Sequence, residues 1–185
     1  MSCESNFILD VESCDVFRLY AYVGPPEILD ASRSANSGVV IEKHEELLEW
    51  LSSNSADASV EGSLTATIVI DKNGDLRLAP RRSEHVACAA GGPVLSAGEM
   101  TFSTTGEAID VNNHSTGFCP EPESWPACEE ALDRLGIDHP NGFTKQVVFR
   151  LCPKCNERNV VKDDWFSCDL CGSDLPKDWN FQTAD

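Results

Sequence analysis

Residues 147–171 read Val147-Val148-Phe149-Arg150-Leu151-Cys152-Pro153-Lys154-Cys155-Asn156-Glu157-Arg158-Asn159-Val160-Val161-Lys162-Asp163-Asp164-Trp165-Phe166-Ser167-Cys168-Asp169-Leu170-Cys171. Two C-x-x-C pairs are separated by twelve residues. Four thiolates at this spacing close a tetrahedral shell around Zn²⁺, with Zn–S distances of about 2.3 Å. Sulfur fills every position, so Cys152, Cys155, Cys168 and Cys171 leave no site for water or substrate, and the metal is expected to build structure. The residue after each second cysteine often takes positive φ, and Asn156 and Gly172 are residue types that tolerate it. Pro153 pre-sets the first turn. The apolar run Val147–Leu151 reads as a strand that enters Cys152 without a linker. Residues 150–185 are therefore expected to pack rigidly on a body formed by 1–149.

Over roughly the last 35 residues the chain resembles the zinc ribbon family with rubredoxin-like knuckles. The resemblance implies one structural Zn²⁺. Rubredoxins hold iron in the same quartet, but the surrounding sequence lacks the rest of that likeness.

Working outward, the body alternates between strand and helix patterns. Val16–Val23 places Phe17, Leu19, Ala21 and Val23 on one side of a strand, stopped by Gly24-Pro25-Pro26. Residues 30–38 read as a loop. His44, Leu47, Leu48 and Leu51 recur at helical spacing within Glu42–Ser52, with Glu45, Glu46 and Glu49 outward. A polar linker follows at Ser52–Ser59. Leu64–Ile70 and Leu76–Leu78 flank Asp71-Lys72-Asn73-Gly74, a hairpin in which Asn-Gly would supply positive φ. Met100, Phe102, Ile109 and Val111 mark a second hairpin around Thr104-Thr105-Gly106. Ala87–Gly98 between them is rich in small residues and reads as a close-packed loop. Ser124 suits an N-cap, Pro126 a first turn and Gly136 a C-terminal stop. Between them Trp125, Cys128, Leu132 and Leu135 form one stripe. The expected fold is α+β: an antiparallel or mixed sheet of five or six strands, two main helices and the C-terminal ribbon.

Composition narrows the function classes. With 185 residues, about 70% of the unfolded surface can be buried, enough for a core without disulfides. The N-terminal Met1-Ser2-Cys3-Glu4 lacks the pattern of a signal peptide, and no apolar run approaches a membrane span. Nine cysteines, an odd number that includes a metal quartet, point to a reducing compartment and a cytoplasmic setting. The net charge is −17: −8 in residues 1–60, −7 in 61–149 and −2 in 150–185. Nucleic-acid binding normally needs a basic face, and Arg77, Arg81 and Arg82 are too small a cluster, so no nucleic-acid partner is expected. The acidity suits solubility or steering toward a basic protein partner.

Chemistry outside the quartet concentrates in residues 83–123. Val111–Trp125 runs from strand through polar loop to helix start, where a phosphate would meet Glu121 and Glu123. His114, Cys119 and Cys128 could form a second metal site, although Cys128 lies in an apolar stripe. Ser83-Glu84-His85, Gly91-Gly92-Pro93-Val94, Ala97-Gly98-Glu99-Met100 and Asn113-His114-Ser115-Thr116-Gly117 come in order. This series, within residues 83–135, resembles a module of uncharacterised bacterial proteins that also occurs in polymorphic-toxin-type chains. The related pattern ends Ser-Gly-His-Tyr, where this chain has Ser115-Thr116-Gly117-Phe118.

Two readings follow. The leading one is a non-enzymatic, acidic protein-interaction protein, accessory or immunity-like, with Trp165, Trp179 and Phe181 as anchors. The alternative is a small enzyme with a cleft between 83–99 and 112–123, His85 acting as base and Glu99 as its partner. Cys88 and Cys119 are weaker nucleophile candidates, since neither has an adjacent basic residue.

Overall fold

The hairpin expected at 64–80 forms, and Asp71 explains why its turn is tight. One carboxylate oxygen accepts the Asn73 N–H at 2.9 Å and the Asp75 N–H at 3.2 Å, while the other accepts Arg77 Nε at 2.9 Å. Gly74 takes φ 83° at the turn, whereas Asn73 stays in the ordinary region. One left-handed residue, not two, closes the loop.

In the computed structural model, which describes residues 17–35 and 37–184, the chain order is α1 (Pro26–Ser32), β1 (Val39–Ile41), α2 (His44–Ser53), β2 (Leu64–Asp71), β3 (Leu76–Pro80), α3 (His85–Cys88), β4 (Val94–Phe102), β5 (Ala108–Val111), α4 (Trp125–Leu135), β6 (Val148–Leu151) and β7 (Arg158–Val161). The first five strands form an antiparallel sheet in the order β1-β3-β2-β4-β5, and β6 and β7 form a separate antiparallel pair. The fold is α+β.

Period-two alternation sends the two faces of the sheet to different covers. Leu64, Ile68 and Ile70 of β2, with Leu78, Met100 and Phe102, pack against Leu47 and Trp50 of α2 and Cys128 and Leu132 of α4. On the other face Val69, Ala79 and Ala97 meet Val86 and Cys88 of α3, with Tyr20 and Phe118 closing that layer. Helix α4 follows its sequence pattern closely: Trp125, Cys128, Leu132 and Leu135 are buried, and Gly136 ends the helix at φ 65°.

Several local readings are corrected. Val16 lies outside the described residues, as does the N-terminal Met1–Glu4. Residues 17–23 build no ladder; Tyr20 alone bridges Val94 and Thr183, and it, not its odd-numbered neighbours, is fully buried. Pro26 starts α1 rather than stopping a strand, because its fixed φ suits a first helical turn. That helix takes up the first part of the expected 30–38 loop. In α2, Trp50 is buried and Leu48 is exposed, so the apolar stripe is rotated toward the indole. Ala87–Gly98 is a loop only over 89–93: the segment also holds the end of α3 and the first half of β4. Gly98 must lack a side chain because a Cβ there would overlap the Asn112 carbonyl. Ser124 does occupy the N-cap of α4, but its side chain makes no capping bond: the hydroxyl meets that of Ser96 at 3.0 Å, and a short 3₁₀ turn, Pro122–Ser124, leads into the helix.

Candidate metal centre and neighbouring residues

Strand β6 delivers Cys152, and the return into β7 starts three residues after Cys155. Each pair forms a knuckle: the Asn156 N–H donates to the Cys152 carbonyl and the Gly172 N–H to the Cys168 carbonyl, both at 2.9 Å. Asn156 at φ 60° and Gly172 at φ 68° occupy the left-handed region expected of them. The four sulfur atoms lie within 4.8 Å of one another, and Cys152–Cys171 and Cys155–Cys168 are each 3.6 Å apart. A tetrahedron with metal–sulfur bonds of about 2.3 Å has edges of about 3.8 Å, so the donor set fits a four-sulfur metal ion. Among the described residues this is the only group of three or more ligand-type side chains so gathered.

The sulfurs do not ionise alike. The Ser173 hydroxyl and amide bring Cys171 down to about 6. For Cys155 the Glu157 amide favours the thiolate, but burial and the three neighbouring sulfurs outweigh it and push the thiol up to about 12. Packed thiolates repel one another, and a cation of charge +2 relieves that repulsion.

Beside the Tyr20–Thr183 bridge, four side chains join this region to the sheet body. Asn113 is fully buried; its Oδ1 accepts the Val147 N–H at 2.7 Å, and its amide nitrogen donates to the carbonyls of Val147 at 2.7 Å and Pro120 at 2.9 Å. Arg158 donates to the carbonyls of Val23 at 2.9 Å and Thr116 at 3.0 Å. Trp179 donates its indole N–H to the Cys119 carbonyl at 2.8 Å and packs edge-on against Tyr20. Arg150, nearly buried, pairs with Glu121 at 3.2 Å, and Arg18 holds the same carboxylate from outside. Trp179 and Phe181, expected as exposed anchors, instead stack on each other at this junction, and only Trp165 stays open, 74% exposed. Asn113 and Trp179 were not recognisable as fasteners, because a lone Asn or Trp has no spacing pattern.

His85 and Glu99 are brought near each other. His85 Nε2 lies 2.9 Å from the Gly98 carbonyl. A carbonyl only accepts, so Nε2 carries a proton. Burial lowers the His85 pKa, and the Gly98 carbonyl and the Glu99 and Glu84 carboxylates oppose that shift. Glu99 reaches Arg81 at 3.5 Å. Neither His85 nor Glu99 lines any of five clefts found among the described residues. Asn113 and Glu121 are engaged elsewhere as described, and His114 stacks loosely on Phe149, ring centres 6.1 Å apart.

The remaining cysteines are buried thiols. Burial pushes Cys88, Cys119 and Cys128 up to about 12, so none is an ionised nucleophile at neutral pH. His114, Cys119 and Cys128 are not gathered as a metal set.

No family model matches this chain, and neither the curated proteins nor the solved structures contain a match. Among the described residues no helix is long and apolar enough to cross a membrane.

Proposed function

We propose that this chain is a zinc-held, non-enzymatic binding protein whose acidic surface docks a basic protein partner, in an accessory or immunity-like role. Zinc is the metal that best suits a closed all-sulfur cage with tight knuckles. Residues 150–185 form the metal-held unit, fastened to a body of residues 1–149 that has its own core, in a cytoplasmic setting. The observation that carries the partner reading is the net charge of −17, negative in every third of the chain. Such a field raises encounter rates with cations and disfavours nucleic acid.

Metal analysis should return about one metal ion per chain, since four thiolates complete one tetrahedral shell, and the ion expected is zinc. Binding to basic proteins should weaken steeply with salt, because the Debye length shrinks from about 10 Å at 0.1 M to 3 Å at 1 M. Iron in the cage, or no basic partner at low salt, overturns the corresponding half of the reading.

The enzyme reading keeps one observation in its favour, the neutral His85 imidazole beside Glu99. It requires that His85→Ala and Glu99→Ala abolish turnover in folded, metal-loaded protein. Undiminished turnover in both variants ends it.

A further inference from the structure

The two edges of the β6–β7 hairpin are finished differently. The Cys152 N–H donates to the Glu157 carbonyl at 2.8 Å. With the observed register, antiparallel alternation makes 148/161, 150/159 and 152/157 the hydrogen-bonded pairs. The peptide groups of Val147, Phe149 and Leu151 therefore face outward from β6, and those of Arg158 and Val160 outward from β7.

Side chains seal the β6 edge. The Asn113 carboxamide meets both the N–H and the C=O of Val147, each at 2.7 Å. Asn180 does the same for Leu151, at 2.9 and 2.7 Å, and Arg150 Nη1 donates to the Phe149 carbonyl at 2.7 Å. A carboxamide can set a donor and an acceptor side by side as an adjacent strand does, so two asparagines stand where a neighbouring strand would be. On the β7 edge, the N–H and C=O groups of Arg158 and Val160 have no hydrogen-bond partner among the described residues. A cleft of about 690 Å³ opens there, lined by Arg158, Val160, Lys162, Asp169, Leu170 and His114 among others.

The charge around this edge selects the occupant. Glu157, Asp163, Asp164 and Asp169 are exposed on or beside β7. Lys162 is the exposed cation among them, and the Arg158 guanidinium is already engaged by two body carbonyls. Leu170 is 69% exposed and offers an apolar foothold in the cleft. A second copy of this chain would bring another −17 to the interface, so an edge-to-edge dimer is electrostatically opposed.

We propose that the free edge of β7 is a strand-addition site that takes an extended, cationic segment of a partner protein. The proposal rests on the basic-partner reading and gives it a location. Main-chain hydrogen bonds to Arg158 and Val160 supply the register, Leu170 receives an apolar side chain, and the surrounding carboxylates select Lys or Arg.

The test uses the full-length zinc-loaded protein and an acetylated Lys-Val-Lys-Val-Lys-Val peptide at low salt. Exchange of the Arg158 and Val160 amides should slow by about tenfold or more when the peptide is present. A Glu-Val counterpart should leave it unchanged. Val160→Pro removes an outward N–H without touching the β6 ladder, a place where an edge strand tolerates proline. That variant should load zinc as the parent does and bind the peptide about tenfold more weakly. If the peptide binds but protects only other amides, the edge assignment falls while the basic-partner reading stands. If neither this peptide nor any basic protein binds at low salt, both fall. Protection of Arg158 and Val160 in the free protein would also overturn the proposal; dependence on protein concentration would identify a second copy as the occupant, and independence a segment of the same chain.

Discussion

His85 and Gly98 show how single residues are constrained by the same few ångströms of β4. His85 is held by the Gly98 carbonyl, and burial keeps its pKa below the usual value of about 6.5. The unfolded chain therefore takes up the proton first on acidification. The stability linked to this group is present above about pH 6.5 and is lost as pH falls through the lowered native pKa. Urea unfolding at pH 7.5 and 5.5 should show a smaller loss for His85→Gln than for the parent, since glutamine can still donate to Gly98 and cannot titrate. An equal loss in both proteins would remove His85 as the source. Gly98→Ala should cost about 2–3 kcal/mol by overpacking, because the added methyl meets a backbone carbonyl that a side-chain rotation cannot move. Denaturant unfolding of that variant measures it.

At the scale of elements, the least exposed polar side chain at the junction is also the most constrained. Asn113 serves the peptide group of Val147 and the carbonyl of Pro120 at once. Asn113→Leu would leave buried backbone groups unpaired, at an expected cost of about 2–4 kcal/mol. Hydrogen exchange at Val147 should rise in that variant before the sheet body opens, because the lost bond is local to the start of β6. Retention of the parent's stability would show that water replaces the amide. Helix α4 and the 64–80 hairpin were legible in the sequence because their periodicity and turn chemistry agree with their burial. The first half of β4 was not: Ser96, Ala97 and Gly98 carry too little side chain to write a period, and at Gly98 the Asn112 carbonyl crosses too close for any side chain. Tyr20 and α1 escaped for a related reason, since one bridge and one short helix depend on neighbours far away in sequence.

For the whole molecule, the question is how far the metal-held region and the sheet body depend on each other. The five-stranded sheet has two packed layers of its own, while among the described residues the cluster around the sulfurs holds only Cys152, Cys168 and Leu175 as buried residues. Cys168→Ser should release the metal and loosen residues 150–185, with circular dichroism retaining most of the sheet signal and exchange protection surviving in β2–β4. Loss of all secondary structure would contradict an independent body. Partial release is expected to spread to residues 17–23, since Arg158 and Trp179 hold that segment and its neighbours from the C-terminal side.

The chain's sequence alone determined the quartet Cys152, Cys155, Cys168 and Cys171, the left-handed Asn156 and Gly172, the α+β class and the acidic character. Each of these follows from spacing, residue type or a sum of charges, none of which needs a partner in space. Tertiary structure decided that the sulfurs lie within 4.8 Å, that His85 meets Gly98, and that Trp179 is a fastener while Trp165 is exposed. It also decided that asparagines close one hairpin edge and leave the other open. Those are contacts between residues tens of positions apart, and their geometry is set by how the layers pack.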